Sequence, residues 1–297
     1  MPRLFTLIKV AIVEDIILSN RITVVTPSYN QARFLDETLA SVIAQRDEIH
    51  EYFVFDGGST DGSQDVIRKY ESRIDHWVSE KDKGQSDAIS KGFARATGDI
   101  LYWINSDDVL LPGAIKKVRT LFADNPDLGA ITGWQVFIDG DSRVMSCTRM
   151  PGESYQLASW GVTHISQPST FFKRELFNKI GGLNLGLHCV MDTELWYRML
   201  DTKQPWTSAE MYVAGFRRHE DAKGHATGSW AQRYHKEQEE LKKQFPHFSS
   251  NTKSPFGRLW HQASQIFSGK RIAANADTKR YKGKPWQEAF GFVPPEI

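Results

Sequence analysis

Between residues 21 and 106 short apolar runs alternate with segments of helical period, the pattern of stacked β-α-β units. Residues 22–26, Ile-Thr-Val-Val-Thr, read as a buried strand that stops at Pro27. After the Pro27-Ser28-Tyr29-Asn30 loop, Leu35, Leu39, Val42 and Ile43 fall at i, i+4, i+7 and i+8. That spacing predicts a helix with one apolar face, capped by Asn30 and ending near Gln45. Residues 52–55 predict a second strand, closed by Asp56-Gly57-Gly58-Ser59-Thr60-Asp61-Gly62-Ser63, with a helix from Gln64 onward. A short strand over 77–79 and a helix over 85–96, closed by Gly98, lead to a strongly apolar strand at 100–104 that runs into Asn105-Ser106-Asp107-Asp108. The second half is less regular, with strands expected at 130–138, 169–172 and 211–216 and helices at 174–180 and 191–200. A polar helix is expected over 230–245.

This pattern predicts an α/β architecture with polar residues gathered at the C-terminal ends of successive strands. In an open α/β sheet ligands bind along that edge, because its loops converge while the sheet holds them in place. Three segments are expected: an N-terminal extension over 1–20, an α/β domain over 21–220, and a helical, basic and aromatic C-terminal appendage over 221–297. The apolar run within 1–20 is broken by Lys9, Glu14 and Asp15, too early for a membrane span, and offers no convincing cleavage site for a signal peptide. A cytoplasmic location is expected, with contact at the inner face of the membrane as an option. In the appendage, Phe256, Leu259, Trp260, Ala263, Ile266 and Phe267 form an apolar stripe flanked by Lys253, Arg258, Lys270 and Arg271. Such a stripe suits either peripheral contact with an anionic membrane or packing on the parent domain.

The charge balance narrows the partners. With 37 basic and 36 acidic residues the net charge is +1, which gives no electrostatic case for nucleic acid. Two cysteines, Cys147 and Cys189, make neither a disulfide framework nor the spacing of a zinc site, and they suit a reducing compartment.

The candidate chemistry lies at the strand ends. Asp107 and Asp108 follow an apolar strand directly, where two carboxylates offer hard oxygen ligands for Mg²⁺ or Mn²⁺. Taken alone, the pair reads more readily as a helix cap beside a solvated side chain. Asp56 stands at the equivalent end of a neighbouring strand, before two glycines that allow close approach of backbone to a ligand; alone, it is an ordinary turn. The combination is specific. Thr26-Pro27-Ser28-Tyr29-Asn30, Asp56 to Ser63, Asp82-Lys83-Gly84-Gln85-Ser86-Asp87-Ala88 and Asn105-Ser106-Asp107-Asp108, in this order, resemble the family 2 glycosyltransferases with a GT-A fold. Gln167-Pro168-Ser169-Thr170, Gly181-Gly182-Leu183-Asn184 and Met191-Asp192-Thr193-Glu194-Leu195-Trp196 extend the likeness, which covers residues 21 to 219.

The resemblance implies a Rossmann-like nucleotide-binding half fused to an acceptor-binding half. It implies inverting transfer of a sugar from a nucleotide-diphosphate donor, a UDP-sugar first, to a glycan or lipid-linked hydroxyl in cell-envelope polysaccharide synthesis. Thr26, Pro27, Tyr29, Asp56, Gly84, Gln85 and Asp107 would hold the donor, and Asp107 with Asp108 would hold Mn²⁺ or Mg²⁺. Asp192 would be the general base, since a sugar hydroxyl is a poor nucleophile until a carboxylate accepts its proton. From the residues themselves, Asp192 also reads as a helix cap, and Glu194 as either an acceptor contact or a salt-bridge partner. His219 can reach a metal or diphosphate, and Trp160 and His188, in loop-like segments, can meet an acceptor sugar. Trp103, Trp134 and Trp196 read as core.

Three departures stand out. Asn105 opens the metal-binding element where many members have an acid, Asp56-Gly57 replaces a common acidic pair, and Asn184 replaces a usual acid. A nucleotidyltransferase is the rival enzyme, and a sugar-binding descendant of the transferase fold is the non-catalytic alternative. The first normally needs a glycine-rich, basic phosphate loop, and residues 27–30 contain neither glycine nor a basic residue.

Overall fold

The computed structural model describes residues 20–150, 158–159, 165–220, 228–248 and 269–296. Its first half is built from β1 (Ile22–Ser28), α1 (Ala32–Ile43), β2 (Glu51–Asp56), α2 (Ser63–Lys69), β3 (His76–Ser79), α3 (Gln85–Arg95) and β4 (Ile100–Trp103). Next come β5 (Val109–Leu110), α4 (Ala114–Asp124), β6 (Ala130–Asp139), β7 (Val144–Thr148), β8 (Thr170–Lys173) and α5 (Arg174–Lys179). The chain continues through α6 (Met191–Asp201), β9 (Trp206–Arg218), α7 (Ser229–Gln244), α8 (Lys270–Tyr281) and α9 (Trp286–Phe290).

The strands form one mixed sheet in the order β3-β2-β1-β4-β8-β6-β9-β5, with β7 on β6. Strands β3, β2, β1 and β4 are mutually parallel, so all four end on the same edge. Strand alternation divides the core in two. Ile22, Val24, Tyr52, Val54, Ile100 and Tyr102 face a cluster completed by α1 and α4, whereas Val25, Phe53, Phe55, Leu101 and Trp103 face one completed by α3 and α6. A period of two in the strands thus meets a period of 3.6 in the helices, and each layer covers one face of the sheet.

β1 runs two residues past the expected stop. The Val25 carbonyl accepts the Ile104 N–H on the β4 side, and by alternation Pro27 faces the same way. Pairing with β4 ends at Val25, so the N–H that proline lacks falls where no ladder bond is made. Helix α1 likewise begins later than predicted. Gln31 is its N-cap, while Asn30 adopts φ +50° and accepts the Thr60 N–H on its side-chain oxygen.

Trp103 and Trp196 are buried and stacked at 5.4 Å, as a core reading requires, while Trp134 is only half-buried beneath the Arg149 guanidinium. The region expected as an appendage contributes to both faces. Leu241, Phe245 and Phe248 join the α3/α6 cluster, and Trp286 is buried against β6 and β7. The apolar stripe over 256–267 and the N-terminal run lie outside the described residues. Among the described residues no helix is long and apolar enough to cross a membrane.

Candidate active site

The loops after β1, β2 and β3 are fastened to one another. The Ser28 carbonyl accepts the Gly57 N–H, Ser59 Oγ accepts the Asn30 N–H, and the Asp56 carbonyl accepts the Glu80 N–H. The Asp56 carboxylate faces inward. Its oxygens accept Ser59 Oγ at 2.5 Å, Ser79 Oγ at 2.6 Å and the Ser59 and Gly58 N–H groups. Asp56, expected to contact the donor, here shapes the loop. Thr26, expected beside it, is a buried strand residue whose Oγ1 pairs with the Tyr52 hydroxyl at 2.9 Å. Pro27 is buried in the same strand, and the exposed member of this loop is Tyr29, 61% accessible.

The absence of a side chain at Gly57 has a structural counterpart. A Cβ there would lie 2.9 Å from Asp82 Oδ2, so the Asp82 carboxylate fills the space that an acidic side chain at 57 would need. Asp82 also accepts the Gly84 N–H at 2.8 Å, turning the chain into α3 through Gly84 at φ +113°. Gln85 then donates its amide to Asn105 Oδ1 at 2.6 Å, and Asn105 donates to Gln167 Oε1 at 2.8 Å. An amide at position 105 can both accept and donate, which a carboxylate cannot, and this ties the donor-side loop to the Asp107 turn.

Asp107 and Asp108 are neighbours with different environments. Asp107 is 21% accessible and its Oδ2 lies 3.1 Å from His219 Nε2. Asp108 is 1% accessible, with Oδ1 accepting the Arg217 N–H at 2.9 Å and Oδ2 facing the Asn105 amide. Burial pushes the Asp108 carboxyl well above its ordinary value, Asp107 beside it adds to the rise, and Arg217 and Asn105 oppose it. Asp108, expected with Asp107 to hold a metal, is here buried in the turn, with its carboxylate turned to Arg217 and Asn105. The physical reason is the short pairing of β5 with β9, which turns Asp108 toward Arg217.

The turn is held on all sides. Thr38 Oγ1 of α1 donates to the Asp108 carbonyl at 2.7 Å, and Arg217 Nε donates to the Asp107 carbonyl at 2.8 Å. The Arg217 guanidinium, itself buried, also reaches the Asp139 carbonyl, Ser142 Oγ and Glu37 Oε2, and lies over the Phe34 ring. Glu37 in turn accepts from Ser142, Trp286 and Gln287. His219 packs on Phe34 at 4.5 Å between ring centres, and its buried Nδ1 has no hydrogen-bond partner among the described residues. Residues 37, 217, 286 and 287 were not legible as parts of the site, because their roles depend on contacts between elements distant in sequence.

Asp192 is the second residue of α6, after the N-cap Val190, so the helix-cap reading of Asp192 does not hold. It is half-buried, and its Oδ1 accepts the Thr193 N–H at 2.7 Å. The turn before it reaches the donor side: the Leu187 carbonyl accepts Ser86 Oγ, and a Cβ on Gly84 would lie 3.4 Å from His188 Nδ1. Glu194 is buried, 2% accessible, and binds Arg198 through both oxygens at 2.7 Å. Arg198 donates onward to the Ile180 and Gly182 carbonyls. Of the two readings open for Glu194, the salt bridge is the one the structure forms. Trp160 lies outside the described residues.

The structure is similar to that of residues 1–349 of S. aureus TarS in complex with UDP-GlcNAc, with a TM-score of 0.61 at 15% identity, covering 74% of this chain and 65% of that one. It is also similar to the mannosyltransferase PcManGT from Pyrobaculum calidifontis in complex with GDP-Man and Mn²⁺, with a TM-score of 0.56 at 18% identity, covering 92% and 84%. These likenesses establish the fold, GT-A. In sequence, an uncharacterized glycosyltransferase of Nostoc, alr2836, is 31% identical over 144 residues, which span 47% of this chain and only 44% of that relative. The model of glycosyl transferase family 2 matches residues 23–181. That match takes in the β1, β2, α3 and Asp107 segments and more than half of the chain, which therefore belongs to glycosyl transferase family 2.

Proposed function

We propose that the chain transfers a glycosyl group from a nucleotide-diphosphate sugar, a UDP-sugar first, to a hydroxyl of a glycan or lipid-linked acceptor, with inversion at the anomeric carbon. The observation that carries this reading is the Asp107–His219 pair at the edge where β1, β2, β3 and β4 end. A carboxylate oxygen and an imidazole nitrogen 3.1 Å apart are spaced as two neighbouring ligands of one octahedral ion, whose edge at ~2.1 Å bond lengths is ~3.0 Å. No group of three acidic, histidine or cysteine ligands occurs among the described residues, so this set would leave most positions to diphosphate oxygens and water. Mn²⁺ or Mg²⁺ held there would supply positive charge against the departing diphosphate.

The protein's own residues do the rest. Tyr29 offers an exposed ring beside the β1–β2 loops for the nucleoside, and Gly84 and Gln85 lie across the same edge from it. Asp192 accepts the proton of the acceptor hydroxyl as its oxygen bonds to the anomeric carbon. The bond from that carbon to the diphosphate breaks as the new one forms, and its electron pair leaves with the diphosphate. Two networks keep the groups in place: Glu37–Arg217 behind Asp107, and Gln85–Asn105–Gln167 along the floor. A fixed site gains more from each charge than a mobile one, since no reorganisation accompanies the reaction.

The test is a thermal-shift screen of UDP-, GDP- and dTDP-sugars with and without Mn²⁺, followed by assay of nucleotide release. Stabilisation by one nucleotide sugar that depends on Mn²⁺, with slow release of the nucleoside diphosphate, supports the reading. Release of pyrophosphate from a nucleoside triphosphate would favour the nucleotidyltransferase instead.

A further inference from the structure

The N-terminus of α6 carries no side-chain cap of its own, since Val190 stands at the N-cap position. The cap comes from another element. Glu237, in the middle of α7, is 5% accessible and points into the turn before α6. Its Oε2 accepts the Cys189 N–H at 2.8 Å, the His188 N–H at 3.2 Å and the Val190 N–H at 3.3 Å, and Oε1 lies 3.2 Å from the His188 nitrogen. Three successive backbone N–H groups converging on one carboxylate make an anion nest, filled here by the protein's own side chain. Arg233, one turn earlier on α7, donates to Glu237 Oε1 at 2.9 Å and fixes its rotamer. Leu241 and Phe245 anchor the helix in the core beneath α6.

The turn that Glu237 grips lies between the two halves of the proposed reaction. On one side, the Leu187 carbonyl accepts the Ser86 hydroxyl, and His188 stands next to Gly84 of the donor-side loop, where a Cβ would lie 3.4 Å from its Nδ1. On the other, Asp192 follows Val190 by two residues in the first turn of α6. Displacement of residues 188–190 would therefore move the carboxylate at 192 relative to Gly84 and Gln85.

We propose that Glu237 is a positioning residue for sugar transfer, holding the 188–190 turn so that the Asp192 carboxylate keeps its place against the donor-side loop. This rests on the reading of Asp192 as the base. It gives α7, which lies beyond the segment matched by the family model, a part in the reaction besides packing.

The test uses the full chain with Mn²⁺ and whichever of UDP-GlcNAc, UDP-glucose and GDP-mannose the wild type hydrolyses fastest. Variants are Glu237→Ala, Glu237→Gln, Asp192→Asn and the double Glu237→Ala/Asp192→Asn. Glu237→Ala is expected to lower kcat about tenfold, at the order set by small misplacements of a reacting group, with KM for the sugar nucleotide unchanged. Glu237→Gln, whose carbonyl still accepts from the nest, recovers part of that loss and retains the fold if the alanine variant does not. The double variant is expected to be no slower than Asp192→Asn alone, because Glu237 acts through Asp192. Fully additive losses, a change in KM alone, or unchanged kcat in Glu237→Ala would each overturn the proposal. Amide exchange at residues 188–190 gives a readout independent of activity: protection lost there and kept on β1 and β4 is expected, and unchanged protection would overturn it. Near-normal hydrolysis by Asp192→Asn with exposed 188–190 amides in Glu237→Ala would instead remove the base reading, and with it the catalytic part of this proposal.

Discussion

His219 Nε2 stands 3.1 Å from Asp107 Oδ2, although 112 residues separate them in the chain. The contact exists because β5, which follows Asp107 and Asp108, pairs antiparallel with the end of β9, which precedes His219. The same pairing delivers Arg217 to Asp108 and sends the two aspartates to opposite tasks. One faces the ligand edge and the other is spent inside the turn.

Loss of the proton acceptor should be visible in turnover. Asp192→Asn is expected to lower kcat by at least about 10²-fold, with KM for the sugar nucleotide little changed. Steady-state kinetics at saturating Mn²⁺ check this, and an equal loss in nucleotide binding measured by titration would move Asp192 out of the base role.

The Arg217–Glu37 pair should matter for folding before chemistry. Arg217 is 1% accessible and its guanidinium bonds to four groups, so Arg217→Ala strands the Asp107 carbonyl, removes one of two donors to the Asp139 carbonyl and leaves Glu37 without its cation. Glu37 keeps 31% of its side chain accessible, so the loss falls short of the about 3–5 kcal/mol of a fully buried pair and is expected at about 1.5–3 kcal/mol. Urea unfolding should show a loss of stability of that size, the midpoint shift multiplied by m, and a loss below about 1 kcal/mol would count against the network's structural role.

Glu237 gives a pH signature. Burial raises its carboxyl, but the Cys189 N–H, Arg233 and the His188 and Val190 N–H groups outweigh burial and hold it below the ordinary 4.5. Near that pH the folded state then binds fewer protons than the unfolded one. The stabilisation is complete above 4.5 and is lost as pH falls through the lower folded value. Wild type should exceed Glu237→Gln in urea midpoint at pH 7, and the difference should shrink as pH falls below 4.5. A difference that stays constant with pH would contradict the linkage.

How much of this was legible depended on range. The β1–α1–β2 and α3–β4 segments were readable because each carries its own period, and the edge of ligand-facing loops followed from the strand ends. The two-residue β5 and the strand β7 were not, since β5 is too short to show a period and β7 does not alternate between buried and exposed positions, and both are defined by partners elsewhere. Asp107 and Asp192 could be singled out by sequence, but the division between Asp107 and Asp108 could not, because adjacent carboxylates look alike until burial separates them. Glu194 and Glu237 show the same limit. Glu237 sits among exposed polar neighbours and Glu194 among half-buried ones, and only the packing of α5, α6 and α7 reveals that each is buried and spent on internal contacts.

In the proposed reaction Asp107 and His219 together hold the metal ion that meets the donor diphosphate. The most direct test is the Mn²⁺ concentration for half-maximal hydrolysis of the preferred sugar nucleotide in wild type, Asp107→Asn, His219→Ala and Asp108→Asn. Asp107→Asn is expected to lose most Mn²⁺-dependent activity, and His219→Ala to need at least about tenfold more Mn²⁺, the order set by loss of a metal-site partner. Asp108→Asn, whose amide oxygen can still accept the Arg217 N–H, should keep a near-normal requirement. A normal Mn²⁺ requirement in both Asp107→Asn and His219→Ala, with the shift confined to Asp108→Asn, would contradict that assignment.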